Sequence, residues 1–290
     1  MSGTTPDHHL DGATNSFYDH EFMGSPAARP ARIMCEYIEP ADRFRRLNIK
    51  NTIVFFGSAR IPSMEDAVRR EAEIQPRVAS TSGEKRRALE DALEAAKRNV
   101  VMSRYYEDAE ALSRKLTAWS HSNHRPAQRF YVCSGGGPGI MEAANRGARA
   151  AGGRSIGLNI TLPQEQEPNP YQSEELSIHF HYFFMRKFWF VYLAKALVVF
   201  PGGFGTMDEM FELLTIVQTE KTTKYMPIIL YGSDYWNEVI NFKALAKWGM
   251  IDPSDLERFR FMDDVDETYR YLKHELTRLY LGENASKKKK

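Results

Sequence analysis

The sequence predicts an α/β fold: a doubly wound, mostly parallel sheet with helices on both faces. Three observations predict it. From about residue 50 onward, strand-like apolar runs alternate with segments of helical spacing, which is the signature of parallel strands joined by crossovers. The runs "IVFF", "FYVC" and "ALVVF" are continuously apolar, as strands covered on both sides must be. Three of these runs end in small residues, "FGS" (56–58), "SGGGPG" (134–139) and "PGGFGT" (201–206), at the strand ends where a Rossmann-like sheet receives its ligand.

The elements follow in order. Residues 1–50 read as a partly disordered N-terminal arm, rich in Gly, Pro, Ser, Thr and Asp up to about residue 30, with a short amphipathic helix at "EYIEPADRFRRL". Residues 51–282 read as the Rossmann-like nucleotide-binding domain. "NTIVFFGSAR" opens it as a strand, and a polar, charged stretch runs from Ile61 to about Arg87. Leu89, Leu93, Ala96, Val100, Tyr105, Ala109, Leu112 and Leu116 then fall near one helical face, as one helix or two, because "NVVMSRYY" blurs the period. "RFYVCSGGG" is a strand, "GIMEAANRGARAAGG" a helix stopped at Gly152, and "RSIGLNI" a strand. A proline-bearing loop leads to "LSIHFHYFF" as a strand, "RKFWFVYLA" as a helix and "KALVVFPGG" as a strand. "TMDEMFELLTIVQ", "DYWNEVINFKALAKWG" and "DDVDETYRYLKHELTRLYL" complete the helices, with "MPIILYG" the strand after the first of them. Residues 283–290 form a basic tail expected to be disordered.

Bulk properties narrow the function. A net charge of +1 gives no electrostatic reason to expect nucleic acid or an anionic membrane as a partner. No apolar stretch reaches the length of a membrane span. Cys35 and Cys133 have no motif spacing, which fits a reducing compartment, and the N-terminus lacks a basic-then-apolar leader, so a cytoplasmic protein is expected. The adjacent His8 and His9 could bind metal, and His179 and His181 have metal-like i, i+2 spacing, but no third ligand accompanies the latter pair, and no metal is expected.

The chemistry is expected at the glycine loops. Gly57 and Ser58, then Ser134, Gly135 and Gly136, then Gly202, Gly203, Gly205 and Thr206 follow strands. A helix begins directly after the second and third loops, and its unpaired N–H groups and dipole favour an anion such as phosphate. Neither the dinucleotide fingerprint nor the P-loop pattern is present, so ATP hydrolysis loses its main support. Asp208 and Glu209 are expected in the first helical turn, where they complement the dipole or face the sugar of a bound nucleotide. Cleavage of a glycosidic bond passes through a cationic sugar, which a carboxylate stabilises. In "MRKFW", Met185, Arg186 and Lys187 are expected to open a helix, where two cations oppose the dipole and therefore call for a nearby anion.

Taken in order, "SGGGPGIMEAANRGA", "MRK" and "PGGFGTMDE" make the chain resemble the Lonely Guy family over about residues 50 to 275. Its members are cytokinin riboside 5′-monophosphate phosphoribohydrolases, with bacterial relatives acting as nucleotide nucleosidases. The P-G-G-x-G-T-x-x-E motif is specific, and Arg186 stands fifteen residues before its proline. The resemblance implies Arg186 and Glu209 as the catalytic pair with Lys187 beside them, the Gly202–Thr206 loop as the holder of the 5′-phosphate, and a homodimer or assembly of dimers. It implies hydrolysis of a purine nucleoside 5′-monophosphate, AMP or a cytokinin riboside monophosphate, to free base and ribose 5-phosphate, without a cofactor. The alternative is a non-catalytic nucleotide sensor or carrier on the same fold. Compared with short family members, residues 1–50 and 61–90 are additional. Such proteins often carry a lysine decarboxylase label, but no lysine here stands in a distinctive context for a Schiff base.

Overall fold

The computed structural model describes residues 15–123, 125–161, 167–219 and 225–281. His8, His9 and the basic tail lie outside the described residues. The chain divides into two compact units between Leu47 and Asn48.

The first unit is helical. Asp19 caps α1 (His20–Gly24) by accepting from the Phe22 N–H. The longer α2 (Arg29–Arg46) begins well before the expected Glu36, and Arg32 donates to the Met23 and Ser25 carbonyls, tying the α1 end to α2.

The second unit is a seven-stranded sheet in the order β4-β3-β2-β1-β5-β6-β7, with every pairing parallel. In chain order it runs β1 (Asn51–Phe56), α3 (Met64–Ala79), α4 (Glu84–Met102), α5 (Arg104–Asn123), β2 (Phe130–Ser134), α6 (Ile140–Ala150), β3 (Ser155–Ile160) and β4 (Ser177–Phe180). It continues with α7 (Phe183–Tyr192), β5 (Ala194–Val199), α8 (Phe204–Gln218), β6 (Ile228–Tyr231), α9 (Ser233–Val239), α10 (Phe242–Lys247), β7 (Arg260–Met262) and α11 (Val265–Leu276). The central strands are buried on both faces, which explains their unbroken apolar sequences. One face holds Ile53, Phe55, Val132, Ala196 and Val198 against Leu112 and Leu116 of α5, Ala144 and Ala148 of α6, and Leu272 and Leu276 of α11. The other carries Phe56, whose ring meets Phe190 of α7 edge-on at 4.9 Å.

Several boundaries differ from the sequence reading. The stretch after Ile61 is helical: Ser63 caps α3, and sparse apolar positions such as Ala67 and Ile74 are its buried stripe. The long helical segment is two helices, broken at Ser103, whose hydroxyl bonds the Val100 carbonyl. "LSIHFHYFF" is a strand only to Phe180, and Phe183 already starts α7. "DYWNEVINFKALAKWG" is two short helices, and "RFM" adds a seventh strand too short to show a period.

From β1 the chain fills one side of the sheet through β2, β3 and β4, then returns to lay β5 on β1's other side. The β1/β5 boundary is therefore the switch point, and a crevice opens beyond the strand ends there.

Candidate active site

The crevice is a cavity of about 750 Å³. Gly57, Ser58, Arg60 and Ile61 line it after β1, and Gly135 and Gly137 after β2. Pro201 through Glu209 line it after β5 and along α8, and Tyr235 after β6.

Two helices aim the charged pair. Arg186 on α7 donates through Nη2 to Glu209 Oε1 on α8 at 3.2 Å, with the two side chains only 11% and 17% exposed. Burial pushes the Glu209 carboxyl up to about 7, the Arg186 charge only partly opposing it and Asp208 adding to it. Burial likewise lowers Arg186, against the pull of Glu209. The guanidinium lies over the Phe190 ring at 5.1 Å. Its Nε is buried and has no hydrogen-bond partner among the described residues.

The glycine of the β2 loop makes room for this arginine. A Cβ on Gly135 would stand 2.7 Å from Arg186 Nη2 and 2.7 Å from Met141 Sδ. Gly139 caps α6 with φ +69°, and a Cβ there would run into the Ser58 carbonyl. That same carbonyl accepts from the Ile140 N–H at 3.1 Å, which fastens the β1 loop to the start of α6.

The β5 loop ends in an uncapped helix. Gly203 is the N-cap of α8 and offers no side chain. Among the described residues, the amides of Gly203, Phe204, Gly205 and Thr206 have no acceptor. Four consecutive N–H groups at a helix start form an anion cradle. Because α8 begins at Phe204, Asp208 and Glu209 lie in its second turn, not the first. Complementing the dipole is thus not their task. Likewise α7 begins at Phe183, so Arg186 and Lys187 sit a turn inside it rather than opening it, and the anion opposite Arg186 is Glu209.

Of the residues singled out in the sequence, Gly57, Ser58, Gly135, Arg186, Gly202, Gly203, Gly205, Thr206 and Glu209 come together around the cavity. Ser134, Gly136, Met185 and Lys187 are not among its lining residues. Ser134 is buried and donates to Asn145, and the Gly136 carbonyl accepts from Asn169 and Gln172, so both shape the loop from behind. Met185 is buried. Lys187 bridges to Asp208 at 2.7 Å and Glu212 at 3.2 Å, joining α7 to α8 alongside the Arg186–Glu209 pair. His179 and His181 are exposed and do not line the cavity, and no group of three or more metal-ligating side chains occurs among the described residues.

Sequence reasoning missed Asn159, Tyr235 and Met102. The signal for Asn159 was an asparagine inside a buried strand, where its amide must be satisfied; it donates to Gln172 and Ser177. Tyr235 donates to the Gly202 carbonyl at 2.8 Å. Met102 reaches the cavity from the end of α4, far from any motif.

A family model described as "possible lysine decarboxylase" matches residues 141–272, the part that carries Arg186 and the P-G-G-x-G-T-x-x-E motif. The pyrimidine/purine nucleotide 5′-monophosphate nucleosidase of Escherichia coli strain K12 is 32% identical over 133 residues, 41% of this chain and 29% of that protein. A cytokinin riboside 5′-monophosphate phosphoribohydrolase of Mycobacterium tuberculosis is 29% identical over 146 residues, 48% of this chain and 74% of that protein. These matches support the resemblance to the Lonely Guy family that the motifs carry. The match spans less than a third of the Escherichia coli relative's length. A solved structure of the molybdenum cofactor carrier protein of Chlamydomonas reinhardtii aligns with a TM-score of 0.38 and 19% identity, over 60% of this chain and 89% of that one. Among the described residues no lysine lines the cavity, so none of them there offers a Schiff base for the chemistry that the family model's description names.

Proposed function

We propose that this protein hydrolyses the N-glycosidic bond of a purine nucleoside 5′-monophosphate, AMP or a cytokinin riboside monophosphate, to free base and ribose 5-phosphate. The observation that carries the reading is the buried Arg186–Glu209 pair one helical turn beyond an uncapped anion cradle. The names of the Escherichia coli and Mycobacterium tuberculosis relatives support it.

The phosphate sits on the Gly203–Thr206 amides, where helix N-termini favour anions. Glu209 follows Thr206 by three residues, on the same helix face and about 5 Å along the axis. Phosphate binding thereby fixes the ribose against the carboxylate and makes the reaction effectively intramolecular. As C1′ becomes cationic, the Glu209 carboxylate stabilises it and takes a proton from the attacking water. Water delivers its hydroxyl to C1′, and the departing base takes up the proton. A carboxyl titrating near 7 is matched to this exchange. Arg186 holds Glu209 in place, and its unpartnered Nε is a donor for the substrate. The protein acts as a cytoplasmic homodimer, for which the exposed rings of Phe183, Phe184 and Tyr192 on α7 offer an apolar surface.

The test is AMP incubated with the purified chain, with adenine and ribose 5-phosphate followed by chromatography, beside Glu209→Gln. Adenine release by the wild type alone, with phosphate affinity preserved in the variant, is expected. Full turnover by Glu209→Gln sinks the assignment of Glu209. Tight binding of AMP, GMP and CMP with no release favours a nucleotide-binding sensor or carrier.

A further inference from the structure

We propose that Tyr235 is a positioning residue: its hydroxyl locks the Gly202–Gly203 peptide so that the Gly203 N–H faces the substrate's phosphate. This rests on the phosphate reading of the cavity given above.

A peptide between two glycines turns over more readily than any other, since neither side has a Cβ to resist the change in ψ and φ. The Gly202–Gly203 peptide is of this kind, and it stands at the head of the cradle. Turned over, it would present its carbonyl oxygen to an anion in place of its N–H. The amide is planar and trans, so fixing the carbonyl fixes the N–H antiparallel to it. The Tyr235 hydroxyl supplies that fixation, donating to Gly202 O at 2.8 Å, and both residues line the same cavity.

Tyr235 is itself held. It lies on α9, directly after β6, so the sheet sets its place. Its neighbour Trp236 is fully buried, donates through Nε1 to the Tyr231 carbonyl at 3.1 Å, and meets the Tyr235 ring edge-on at 5.1 Å. Burial raises the phenol above its ordinary range, so it remains a neutral donor. The Gly203 amide has no partner among the described residues, which leaves it for a ligand. On the other flank, a Cβ on Gly202 would run into Thr206 Oγ1, so a residue with a side chain does not fit there without displacing Thr206.

The experiment compares the wild type with Tyr235→Phe, which keeps the ring and removes only the donor. Ribose 5-phosphate, which carries the phosphate, and adenosine, which lacks it, are each titrated by calorimetry, and KM and kcat are measured with AMP. Expected in the variant is a rise of roughly tenfold in the ribose 5-phosphate Kd and the AMP KM, the loss of about one charge-assisted hydrogen bond. Adenosine affinity and kcat stay within about twofold, a split that general loosening would not produce. Equal weakening of both ligands, or no change in either, overturns the role of Tyr235 and leaves the proposed hydrolysis standing. Wild-type protein that binds ribose 5-phosphate but releases no base sinks the hydrolase reading alone, and the Kd ratio still decides Tyr235. Failure of the wild type to bind ribose 5-phosphate overturns the role of Tyr235, and failure to bind either ribose 5-phosphate or AMP overturns both.

Discussion

At the residue scale, Glu209 carries the most testable chemistry. An unfolded glutamate titrates near 4.5, and this one is pushed up to about 7 by burial. Between those values the folded state binds more protons than the unfolded state, so stability falls as pH rises across the window. Urea unfolding of the wild type on either side of it is expected to show that loss, and Glu209→Gln is expected to abolish it. Activity has the opposite slope, because the proposed reaction needs the carboxylate. The kcat/KM of AMP cleavage should rise with pH and level off above about 7. Gly135→Ala probes the arginine partner without touching its charge. The new methyl would press on the flexible ends of Arg186 and Met141, so the chain should still fold. Base release is expected to drop roughly tenfold to a hundredfold, as misplaced catalytic groups do, with an unfolding midpoint close to that of the wild type.

At the scale of elements, the fastening between the β1 loop and α6 is the sensitive joint. Gly139 has a left-handed φ and a Cβ on it would run into the Ser58 carbonyl, so Gly139→Ala meets both backbone strain and a clash. A loss of about 2 kcal/mol or more in urea unfolding is expected. The elements also show what the sequence could and could not tell. β1, β2 and β5 were legible because burial on both faces gives each an unbroken apolar run, with the polar Asn51, Thr52, Ser134 and Lys195 confined to the strand ends. The starts of α7 and α8 were not, because neither has a side-chain cap to mark it. At α8 the missing cap is what the proposed phosphate site requires, since a serine or aspartate at position 203 would occupy the amides an anion needs. The pair Arg186 and Glu209 was visible through its motifs, whereas Asn159, Tyr235 and Met102 reach the cavity only through the folding of distant elements.

At the scale of the whole molecule, every residue lining the cavity belongs to the unit that begins at Asn48. Removal of residues 1–47 is therefore expected to leave the AMP cleavage rate within about threefold, checked on the truncated chain by the same chromatographic assay. No helix among the described residues is long and apolar enough to cross a membrane. The order of the strands carries one more consequence, and it concerns time. β1 pairs with β2 on one side and with β5 on the other, and the cavity opens beside the second pairing. During synthesis β1 emerges early, but β5 and α8 follow on the order of ten to thirty seconds later at translation rates of about 5–20 residues per second. Until then the backbone edge of β1 that will pair with β5 has no native neighbour, and a nascent chain that stalls before β5 is made leaves its N–H and C=O groups unpaired. The strand pairing that creates the cavity is thus also the contact by which the ribosome-bound chain is most open to chaperones and to misassociation.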